Sequence, residues 1–406
     1  MSAATIVVGG GAAGFFAAIA IARARPGGQV TILERGKTVL DKVRISGGGR
    51  CNVTHACWEP RELINFYPRG GQELLGPFHK FACGDTMAWF AERGIGLKIE
   101  EDGRVFPVSD NSQTIVDCLL GEARRLGVRV VTTARVKEVV PPDPAKTADW
   151  WTVHTATASY RADRLIVTTG SNPAVWQLLA GLGHTIVPPV PSLFALTVND
   201  PALRALAGIG LAWAQVQVVG DRLKAEGPLL VTHKGLSGPA VLRLSAWGAR
   251  QLHPLKYDFE LSVNWLARRG EEVTNELVAW RGEAARRQIG SRAPVALPAR
   301  LWQYLVEMAG VDGEQQWAQL SKHQLTALVA ALTDSRYRVT GKATNKEEFT
   351  TAGGVDLREI DFRTFQSTIH PGLYLAGEVL DIDAITGGFN FQAAWTGAYL
   401  IGQAVA

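Results

Sequence analysis

Residues 5–14 read TIVVGGGAAG, in which an apolar strand leads into a glycine-rich turn with the spacing GxGxxG. A helix of small residues at 15–24 follows the turn, and a second strand at 30–33 ends at Glu34, roughly 20 residues after the last glycine. A strand, this turn, a helix and an acid in this order form the dinucleotide-binding fingerprint. The stretch therefore predicts a Rossmann-type α/β fold that binds a dinucleotide.

The spaced glycines of this turn have separate tasks. Gly9 permits a tight turn, Gly11 lets the backbone approach a pyrophosphate, and Gly14 lets the helix pack closely on the strand. The start of the helix supplies unpaired N–H groups and a partial positive charge. The Glu34 carboxylate can accept hydrogen bonds from ribose hydroxyls and disfavours a 2′-phosphate, so we expect an adenosine with a free 2′-hydroxyl. The alternative is an ordinary glycine-rich turn in an α/β protein that binds no nucleotide.

The composition is that of a folded protein with more glycine than average. Of 406 residues, 47% are hydrophobic and 20% are charged, which excludes a disordered or fibrous chain, and 43 are glycine. The formal net charge of +4 neither requires nor excludes an acidic partner. Four cysteines do not make a disulfide framework in a chain this long, and because they form no CxxC pair we expect no metal site. Because the sequence shows no signal peptide and no apolar run of about 18 residues, we expect a cytoplasmic protein that does not enter membranes.

The pattern along the chain divides it into an α/β part and an insertion. The proline-rich stretch PPVP at 188–191 marks the first boundary, and alternation of apolar and polar residues indicates strands up to 265. A helical period follows, and α/β character resumes towards the C-terminus. We therefore predict a first domain in two parts, 1–190 and 351–406, interrupted by a β-rich domain at 191–265, a helical subdomain at 266–335 and a return strand at 336–350.

Two further glycine clusters can lie against a ligand. Residues 44–54 read RISGGGRCNVT, in which consecutive glycines lie between arginine and serine side chains. Residues 372–390 read GLYLAGEVLDIDAITGGFN, a strand that ends in a glycine and an acid and is followed by another glycine turn. An apolar helix at 391–404 comes directly after that turn.

Taken together, these motifs resemble the BaiN/RdsA (YhiN-like) family of NAD(P)/FAD-dependent oxidoreductases. The resemblance runs along nearly the whole chain, and its most specific pieces are ISGGGRCNVT and GEVLD with GGFN. The chain differs from the family in a shorter segment after the strand at 164–168, and in Thr368 and Phe389, where lysine and tyrosine are common. The matching stretches are IVVGGGAAG (6–14), RISGGGRCNVT (44–54), GRVFP (103–107), VTHKGLSGPAVL (231–242), TAGGVD (351–356) and GLYLAGEVLDIDAITGGFNFQAAWTG (372–397).

The resemblance implies a glutathione-reductase-like Rossmann FAD domain, interrupted by a β-barrel domain that carries a small helical domain. It also implies FAD as the cofactor. In this type of fold an acid such as Glu378 holds the ribityl chain or the pyrophosphate, and the backbone of a strand at Val136 meets adenine. The GGFN turn opens a helix whose N–H groups can face the flavin edge where negative charge grows on reduction. The cofactor-binding residues expected are Gly9, Gly11, Ala12, Ala13, Gly14, Glu34, Arg35, Lys42, Ser46, Gly47, Gly48, Gly49, Arg50, Cys51, Asn52, Val136, Thr169, Gly170, Gly377, Glu378, Asp383, Gly387, Gly388, Phe389 and Asn390.

The implied activity is redox chemistry, and three versions of it stay open. We expect reduction of an unsaturated small-molecule substrate by hydride transfer through flavin N5. NAD(P)H would act as a transient reductant, because the chain has no second GxGxxG turn for a separate nicotinamide domain. One alternative is an FAD-dependent oxidase of a small amine with dioxygen as acceptor. Another is a flavin-containing protein that associates with RNA or the ribosome, either to reduce uridine or only to bind.

Side chains outside the FAD motifs are candidates for catalysis and partner binding. His233 can act as a general acid after hydride transfer, and the alternative is a structural loop histidine; His55 ranks below it. Cys51 and Cys57 suggest a redox disulfide, but their spacing differs from that of disulfide reductases of this fold, and buried structural thiols are commoner. The basic stretch 281–302, with tryptophans at its ends, could contact RNA or form an ordinary solvated helix face.

Overall fold

The computed structural model describes residues 4–143, 150–343 and 350–405. The chain divides into two units, Met1–Val190 with Thr350–Ala406, and Pro191–Phe349. Part of the return strand expected at 336–350 therefore lies outside the described residues. None of the helices in the described ranges is long and apolar enough to cross a membrane.

The first unit is built from two separate stretches of the chain, with the second unit between them in sequence. The N-terminal part of the first unit contains β1 (Ala4–Val8), α1 (Ala12–Ala24), β2 (Gln29–Leu33), α2 (Asp41–Gly49), β3 (Thr54–His55), α3 (Pro60–Leu63), α4 (Gly71–Phe78), α5 (Cys83–Ala91), β4 (Leu97–Ile99), β5 (Arg104–Pro107), α6 (Gln113–Arg125), β6 (Arg129–Val131), β7 (Val136–Val140), β8 (Trp151–Thr155), β9 (Ser159–Ala162), β10 (Arg164–Val167), α7 (Pro173–Gly181) and β11 (Ile186–Ser192). The second unit contains β12 (Ala195–Val198), α8 (Pro201–Arg204), β13 (Gly210–Val218), β14 (Lys224–Thr232), β15 (Gly235–Ser237), α9 (Pro239–Trp247), α10 (Ala249–Leu252), β16 (Asp258–Asn264), α11 (Gly270–Glu283), α12 (Ala299–Met308), α13 (Lys322–Thr333) and β17 (Ser335–Ala343). The chain then completes the first unit with β18 (Thr350–Val355), β19 (Ile360–Asp361), β20 (Gln366–Ser367), β21 (Leu373–Leu375) and α14 (Phe389–Val405).

A seven-stranded sheet in the order β19-β20-β21-β10-β1-β2-β6 forms the centre of the first unit. β1 pairs in parallel with β2 and β10, and β21, from the C-terminal segment, pairs in parallel with β10. Ile6, Val7 and Val8 are all buried, as in parallel strands that are covered on both faces. α14 packs closely on α1, because a Cβ on Gly402 would lie 2.4 Å from the Cβ of Ala20. The two ends of the chain therefore build one sheet and one helix pair.

Six strands of the second unit close into a barrel in the order β12-β15-β14-β13-β16-β17. Buried and more exposed residues alternate along these strands, and Val216, Val231 and Leu261 are buried members of the unit's core. Leu277 of α11 and Leu305 of α12 belong to the same core. The fold class predicted from the sequence, a Rossmann-type α/β domain together with a β-barrel, is confirmed.

Candidate cofactor site

In the glycine turn after β1, the fold requires two glycines, whereas the third faces open space. Gly9 has a φ of +110°, and a Cβ there would lie 2.5 Å from the carbonyl oxygen of Thr168. A Cβ on Gly14 would lie 1.9 Å from the carbonyl oxygen of Gly9. A Cβ on Gly11, in contrast, would meet no atom within 4 Å. The backbone at Gly11 is therefore open to a ligand, while Gly9 and Gly14 permit the close packing of α1.

The start of α1 offers backbone N–H groups beside this open space. α1 begins at Ala12 after Gly11 in extended conformation, and no acidic side chain lies in its first turn. The first N–H groups of a helix have no acceptor within the helix, and they carry the positive end of the helix dipole. Gly377 lies beside the same turn, because a Cβ on it would be 3.4 Å from the Cβ of Ala13. This arrangement suits a pyrophosphate.

A cavity of about 300 Å³ adjoins the turn, and Glu34 lies in its wall. Glu34 Oε2 accepts a hydrogen bond from the amide of Gly10 (2.8 Å), and Oε1 accepts one from the amide of Gly36 (2.6 Å). Each carboxylate oxygen keeps a lone pair for a further donor such as a ribose hydroxyl. The predicted residues that line this cavity are Gly9, Glu34, Arg35, Val136 and Thr169.

The cavity also has walls that the sequence prediction does not include. Ala134 and Arg135 precede β7, and Asn172 precedes α7. The Asn172 side chain accepts a hydrogen bond from the amide of Ala174 (3.1 Å) and caps α7 just before Pro173. An Asn-Pro pair is a visible sequence signal for the start of a helix. Its place beside the cavity, however, follows from the pairing of β10 with β1, which a local pattern does not reveal.

An ion pair between the two ends of the chain lies at a further part of the site. Lys42 Nζ is 2.5 Å from Oε2 of Glu378. A Cβ on Gly170 would lie 3.5 Å from the same oxygen, so the three predicted residues converge. The Glu378 side chain is 18% exposed and that of Lys42 is 58% exposed. The glutamate is therefore held in place, and its remaining lone pairs can accept hydrogen bonds from ligand hydroxyls.

The second glycine cluster ends α2 with glycines in left-handed conformation. The φ angles are +58° at Gly47, +67° at Gly48 and +85° at Gly49. The hydroxyl of Ser46 donates to a carbonyl of the preceding helical turn. A Cβ on Gly47 would lie 2.9 Å from the Phe106 ring, whereas Gly48 and Gly49 have no atom within 4 Å of an added Cβ. Like Gly11, the last two glycines leave the backbone open to a ligand.

Arg50 follows this cluster and is held on the ring of Phe106. Its guanidinium carbon lies 3.9 Å from the ring centroid, and Nη1 lies 2.7 Å from Glu100 and 3.2 Å from Asp110. The two carboxylates raise the pKa of Arg50, the hydrogen bond to Glu100 above all. Groups of the protein therefore already hold the guanidinium, and it anchors the loop to the β4–β5 hairpin.

Cys51 and Cys57 have the properties of buried structural thiols. Cys51, Cys57, Cys83 and Cys118 are free thiols. Burial raises the pKa of Cys51 to about 12 and that of Cys57 to about 11. At neutral pH both groups are thiols rather than reactive thiolates. In the part of the chain that the structure describes, no group of three or more His, Cys, Asp and Glu side chains is placed to hold a metal ion.

The GGFN turn lies directly against the end of the second glycine cluster. Gly387 and Gly388 have φ angles of +134° and +90°, and a Cβ on Gly388 would lie 2.5 Å from the carbonyl oxygen of Thr54. With its amide oriented to satisfy both groups, Asn52 accepts a hydrogen bond from the Gly388 amide (3.0 Å) and donates one to Thr54 (2.9 Å). Two predicted motifs from opposite ends of the chain are thus brought together.

Three other predicted residues of this segment have side chains that act within the protein. Phe389 is buried, and the Asn390 side chain bonds to both the N–H and the carbonyl of Ala384 (2.9 and 3.1 Å). The carboxylate of Asp383 is fully buried and pairs with the guanidinium of Arg69 through both of its oxygens. These side chains shape the turn, so a cofactor would meet the turn through its backbone.

Other candidates lie in the second unit. His233 is exposed in the turn between β14 and β15. Arg286, Arg287 and Arg292 of the basic stretch are exposed as well. Trp302 is different, because it is 1% exposed and its indole N–H donates to a backbone carbonyl. It packs in the core and cannot stack on a base, so the expectation of a tryptophan that assists RNA binding is wrong at this position.

Separate features of the first unit suit successive parts of FAD. An open backbone and a helix N-terminus suit the pyrophosphate, and the adjoining cavity with Glu34 suits the adenosine. The fixed carboxylate of Glu378 suits a hydroxylated chain. The two glycine turns at 47–49 and 387–388 offer backbone that no Cβ covers, as close approach to a flat ring requires.

Comparison with known proteins agrees with this assignment. Residues 3–404 match the family model described as HI0933-like protein Rossmann domain. The chain is 29% identical over 407 residues to a ribosomal RNA dihydrouridine synthase of Escherichia coli (strain K12), covering 98% of this chain and 96% of that protein. It is 28% identical over 419 residues to a 3-dehydro-bile acid delta(4,6)-reductase of Clostridium scindens, covering 98% of each.

A solved structure of the same fold is that of 3-ketosteroid-delta4-(5alpha)-dehydrogenase from Rhodococcus jostii RHA1. It has a TM-score of 0.51 and 14% identity, covering 100% of this chain and 96% of that one. At this level of identity the likeness concerns the fold. The family model, by contrast, spans almost every residue. The chain therefore belongs to the HI0933-like family and is an FAD-dependent oxidoreductase, which confirms the family resemblance and the enzyme class predicted from the sequence.

Proposed function

We propose that the protein reduces a carbon–carbon double bond in an unsaturated ring compound, with NAD(P)H as the source of electrons. The observation that carries this proposal is the pair of relatives, one named for a dihydro product and the other as a delta(4,6)-reductase. Both names describe the addition of hydrogen to a double bond, although the substrates differ. Each relative is similar to this chain along nearly its whole length, which supports a shared reaction type.

The proposed cofactor contacts are made by the backbone groups and carboxylates described above as accessible to a ligand. The adenosine would lie in the cavity beside Glu34, and the pyrophosphate would lie against the start of α1. The ribityl chain would meet Glu378, which Lys42 holds in place. The isoalloxazine would lie between the two glycine turns. The residues proposed to touch FAD are Gly11, Ala12, Ala13, Glu34, Arg35, Lys42, Gly47, Gly48, Gly49, Asn52, Val136, Thr169, Gly170, Gly377, Glu378, Gly387 and Gly388, with Gly9, Gly14, Ser46, Arg50, Cys51, Asp383, Phe389 and Asn390 shaping the site around them.

When bound, FAD supplies a hydride from N5 of its reduced ring, and the protein supplies binding, orientation and electrostatics. The N-terminus of α14 favours negative charge in its neighbourhood, through its N–H groups and its dipole. Its turn at Gly387–Asn390 contacts Asn52 through the Gly388 N–H, and we propose that this positive end faces the ring. We expect the site to favour the more negative, reduced form of the cofactor.

Anaerobic rapid mixing tests the proposal. Protein loaded with FAD is mixed with NADH or with NADPH, and the flavin absorbance is followed. We expect bleaching by at least one nicotinamide and recovery when a steroid enone or a uridine-containing RNA is added. Bleaching by a small amine, with recovery in dioxygen and no response to either nicotinamide, would support the amine oxidase instead. A protein that takes up no FAD would contradict both.

His233 is the residue that we propose to move the proton that accompanies hydride transfer. Its side chain is exposed in a short turn, so it is accessible to substrate and solvent. An imidazole exchanges protons near neutral pH, as a general acid requires.

The domain boundaries and the cytoplasmic location remain predictions from the sequence.

RNA is a second candidate substrate, favoured by two observations. A relative is named for modification of ribosomal RNA, and Arg286, Arg287 and Arg292 are exposed close together in the sequence. Arg281 and Arg300, in contrast, donate hydrogen bonds to the backbone carbonyls of Ala318 and Ala205. Binding of a ribosomal RNA fragment that weakens with salt, and weakens further when the three exposed arginines are replaced by glutamine, would support this candidate. Binding that is insensitive to these changes would exclude it.

A further inference from the structure

His55 lies where two sequence-distant segments meet, and the proposed function does not yet use it. Its Nδ1 is 3.2 Å from the carbonyl oxygen of Gly387. A carbonyl oxygen only accepts, so Nδ1 carries the hydrogen and donates it. The ring of His55 also packs on Phe389, with the centroids 4.5 Å apart, and Phe389 stacks on Phe66 at 4.4 Å. The histidine thus contacts the GGFN turn through both its donor and its ring.

The hydrogen bond from His55 completes a clamp on a single peptide group. The peptide that joins Gly387 to Gly388 has its carbonyl bonded to His55 and its N–H bonded to Asn52. Both flanking residues are glycines with positive φ, so neither contributes a Cβ that would restrain rotation of this peptide. Two side chains from the segment 52–55 therefore hold the two polar ends of the most rotatable peptide in the turn.

The strand that carries His55 is itself anchored to α14. Thr54 Oγ1 donates to Oε1 of Gln392 (2.6 Å), and Thr86 Oγ1 donates to the same oxygen (2.9 Å). All three side chains are fully buried. β3 is therefore fixed relative to the start of α14, and His55 reaches Gly387 from a defined position.

We propose that His55 is a positioning residue that holds the Gly387–Gly388 peptide in one orientation, and thereby directs the first N–H groups of α14 at the flavin ring. The inference rests on the proposed FAD site. Without the donor at His55, the peptide can rotate, which turns the Gly388 N–H away from Asn52 and reorients a carbonyl dipole next to the ring. Such a rotation changes the electrostatic surroundings of the cofactor, so it alters the flavin midpoint potential as well as the affinity.

Two substitutions separate the donor of His55 from its ring. His55→Phe keeps a flat ring against Phe389 but has no donor, whereas His55→Asn loses the ring but places an amide N–H near the position of Nδ1. We expect His55→Phe to weaken FAD binding about 10-fold, the effect of one lost hydrogen bond, and to shift the midpoint potential and the visible flavin spectrum. We expect His55→Asn to bind FAD within about twofold of the wild type, with an unchanged potential. His79→Phe, at an exposed histidine that ends α4, is the matched control.

FAD affinity is measured by titration of the apo-proteins with flavin fluorescence as the signal, and the potential by equilibration with reference dyes. Wild-type values in His55→Phe would overturn the proposal. Equal impairment of His55→Asn and His55→Phe would overturn it too, since a restored donor would then not restore FAD binding or the potential. Thermal unfolding of the apo-proteins identifies a folding defect. If His55→Phe does not fold, it is replaced by His55→Gln, whose amide reaches the position of Nε2 instead of Nδ1. A wild-type protein that takes up no FAD would overturn the proposed function itself, a result distinct from any difference among the variants.

Discussion

The contrast between Gly11 and Gly14 gives a direct test of the cofactor site. Gly11→Ala places a methyl group where no atom lies within 4 Å, at a φ of −91° that alanine adopts readily. We expect the free energy of unfolding of the apo-protein to change by no more than about 0.5 kcal/mol. The methyl group would, however, lie on the face from which the backbone approaches the pyrophosphate. FAD binding should therefore weaken although the fold is unaffected.

The expected magnitude follows from the number of hydrogen bonds at stake. If the methyl group keeps a phosphate oxygen away from one backbone N–H, the loss is one hydrogen bond to a charged group. Such a bond contributes about 1.5–3 kcal/mol, which corresponds to a rise in Kd of roughly 10- to 150-fold. Gly14→Ala should behave differently, because its Cβ would lie 1.9 Å from a backbone oxygen that cannot move aside alone. We expect it to destabilise the apo-protein by about 1–3 kcal/mol.

Urea unfolding of the apo-proteins and FAD titration measure the two effects separately. Gly121→Ala is the matched control, because Gly121 lies within α6 and an added Cβ there meets no atom within 4 Å. It should raise the free energy of unfolding by about 0.4–1 kcal/mol and leave FAD binding unchanged. Wild-type FAD affinity in Gly11→Ala would refute the placement of the pyrophosphate. Wild-type apo-protein stability in Gly14→Ala would refute the packing of α1 on the turn.

Three further predictions concern other parts of the molecule. Glu378→Ala should raise the Kd for FAD about 10-fold through the loss of a hydrogen-bond acceptor, which FAD titration measures. Lys42→Met removes the exposed partner of the same ion pair and should change the free energy of unfolding by less than about 1 kcal/mol, which urea unfolding measures. His233→Ala should slow turnover by on the order of 10²–10⁴ with the flavin spectrum and FAD affinity unchanged, and steady-state rates equal to those of the wild type would exclude a catalytic role. Burial lowers the pKa of His184 despite its hydrogen bond to Glu359. The folded state therefore binds fewer protons than the unfolded state as the pH falls. The neutral, buried imidazole contributes to the free energy of unfolding above about pH 6.5, and this contribution is lost as the pH falls below that value. Urea unfolding across this range should show a steeper fall for the wild type than for His184→Gln, and parallel curves would exclude the effect.

Local patterns in the sequence predict the Rossmann turn and individual strands because these features are local, whereas the closed barrel is expected only from the family resemblance. The glycine turn at 9–14 follows a strand and precedes a helix, and the structure has β1, the turn and α1 in that order. Alternation along 257–265 indicates a strand, and β16 covers Asp258–Asn264. Periodicity and turn chemistry depend only on neighbours in sequence, so they can be recognised without any knowledge of long-range contacts.

The parts of the site that depend on long-range pairing could not be predicted in the same way. The sequence places Asp383 at the cofactor, yet nothing near it in sequence reveals that Arg69 pairs with it in a buried position. Trp302 flanks a basic stretch in the sequence, but its indole N–H has a backbone partner within the core. His55 ranks low as a catalytic residue because its partner, the Gly387 carbonyl, lies at the other end of the chain. In each case the missing information is a contact between segments, which residue types and spacing do not contain.

The glycines of the site show why spacing alone leaves their roles open. A Cβ on Gly11, Gly48 or Gly49 would enter open space, so these positions need glycine only if a ligand fills that space. A Cβ on Gly14 or Gly388 would collide with a backbone carbonyl oxygen, so these positions need glycine for the fold whether or not a ligand is present. The collisions also show that α1 and the turn before α14 can approach their neighbours only where no Cβ intervenes. One turn therefore holds both kinds of glycine, since Gly14 permits the close packing of α1 while Gly11 leaves backbone that a ligand could approach.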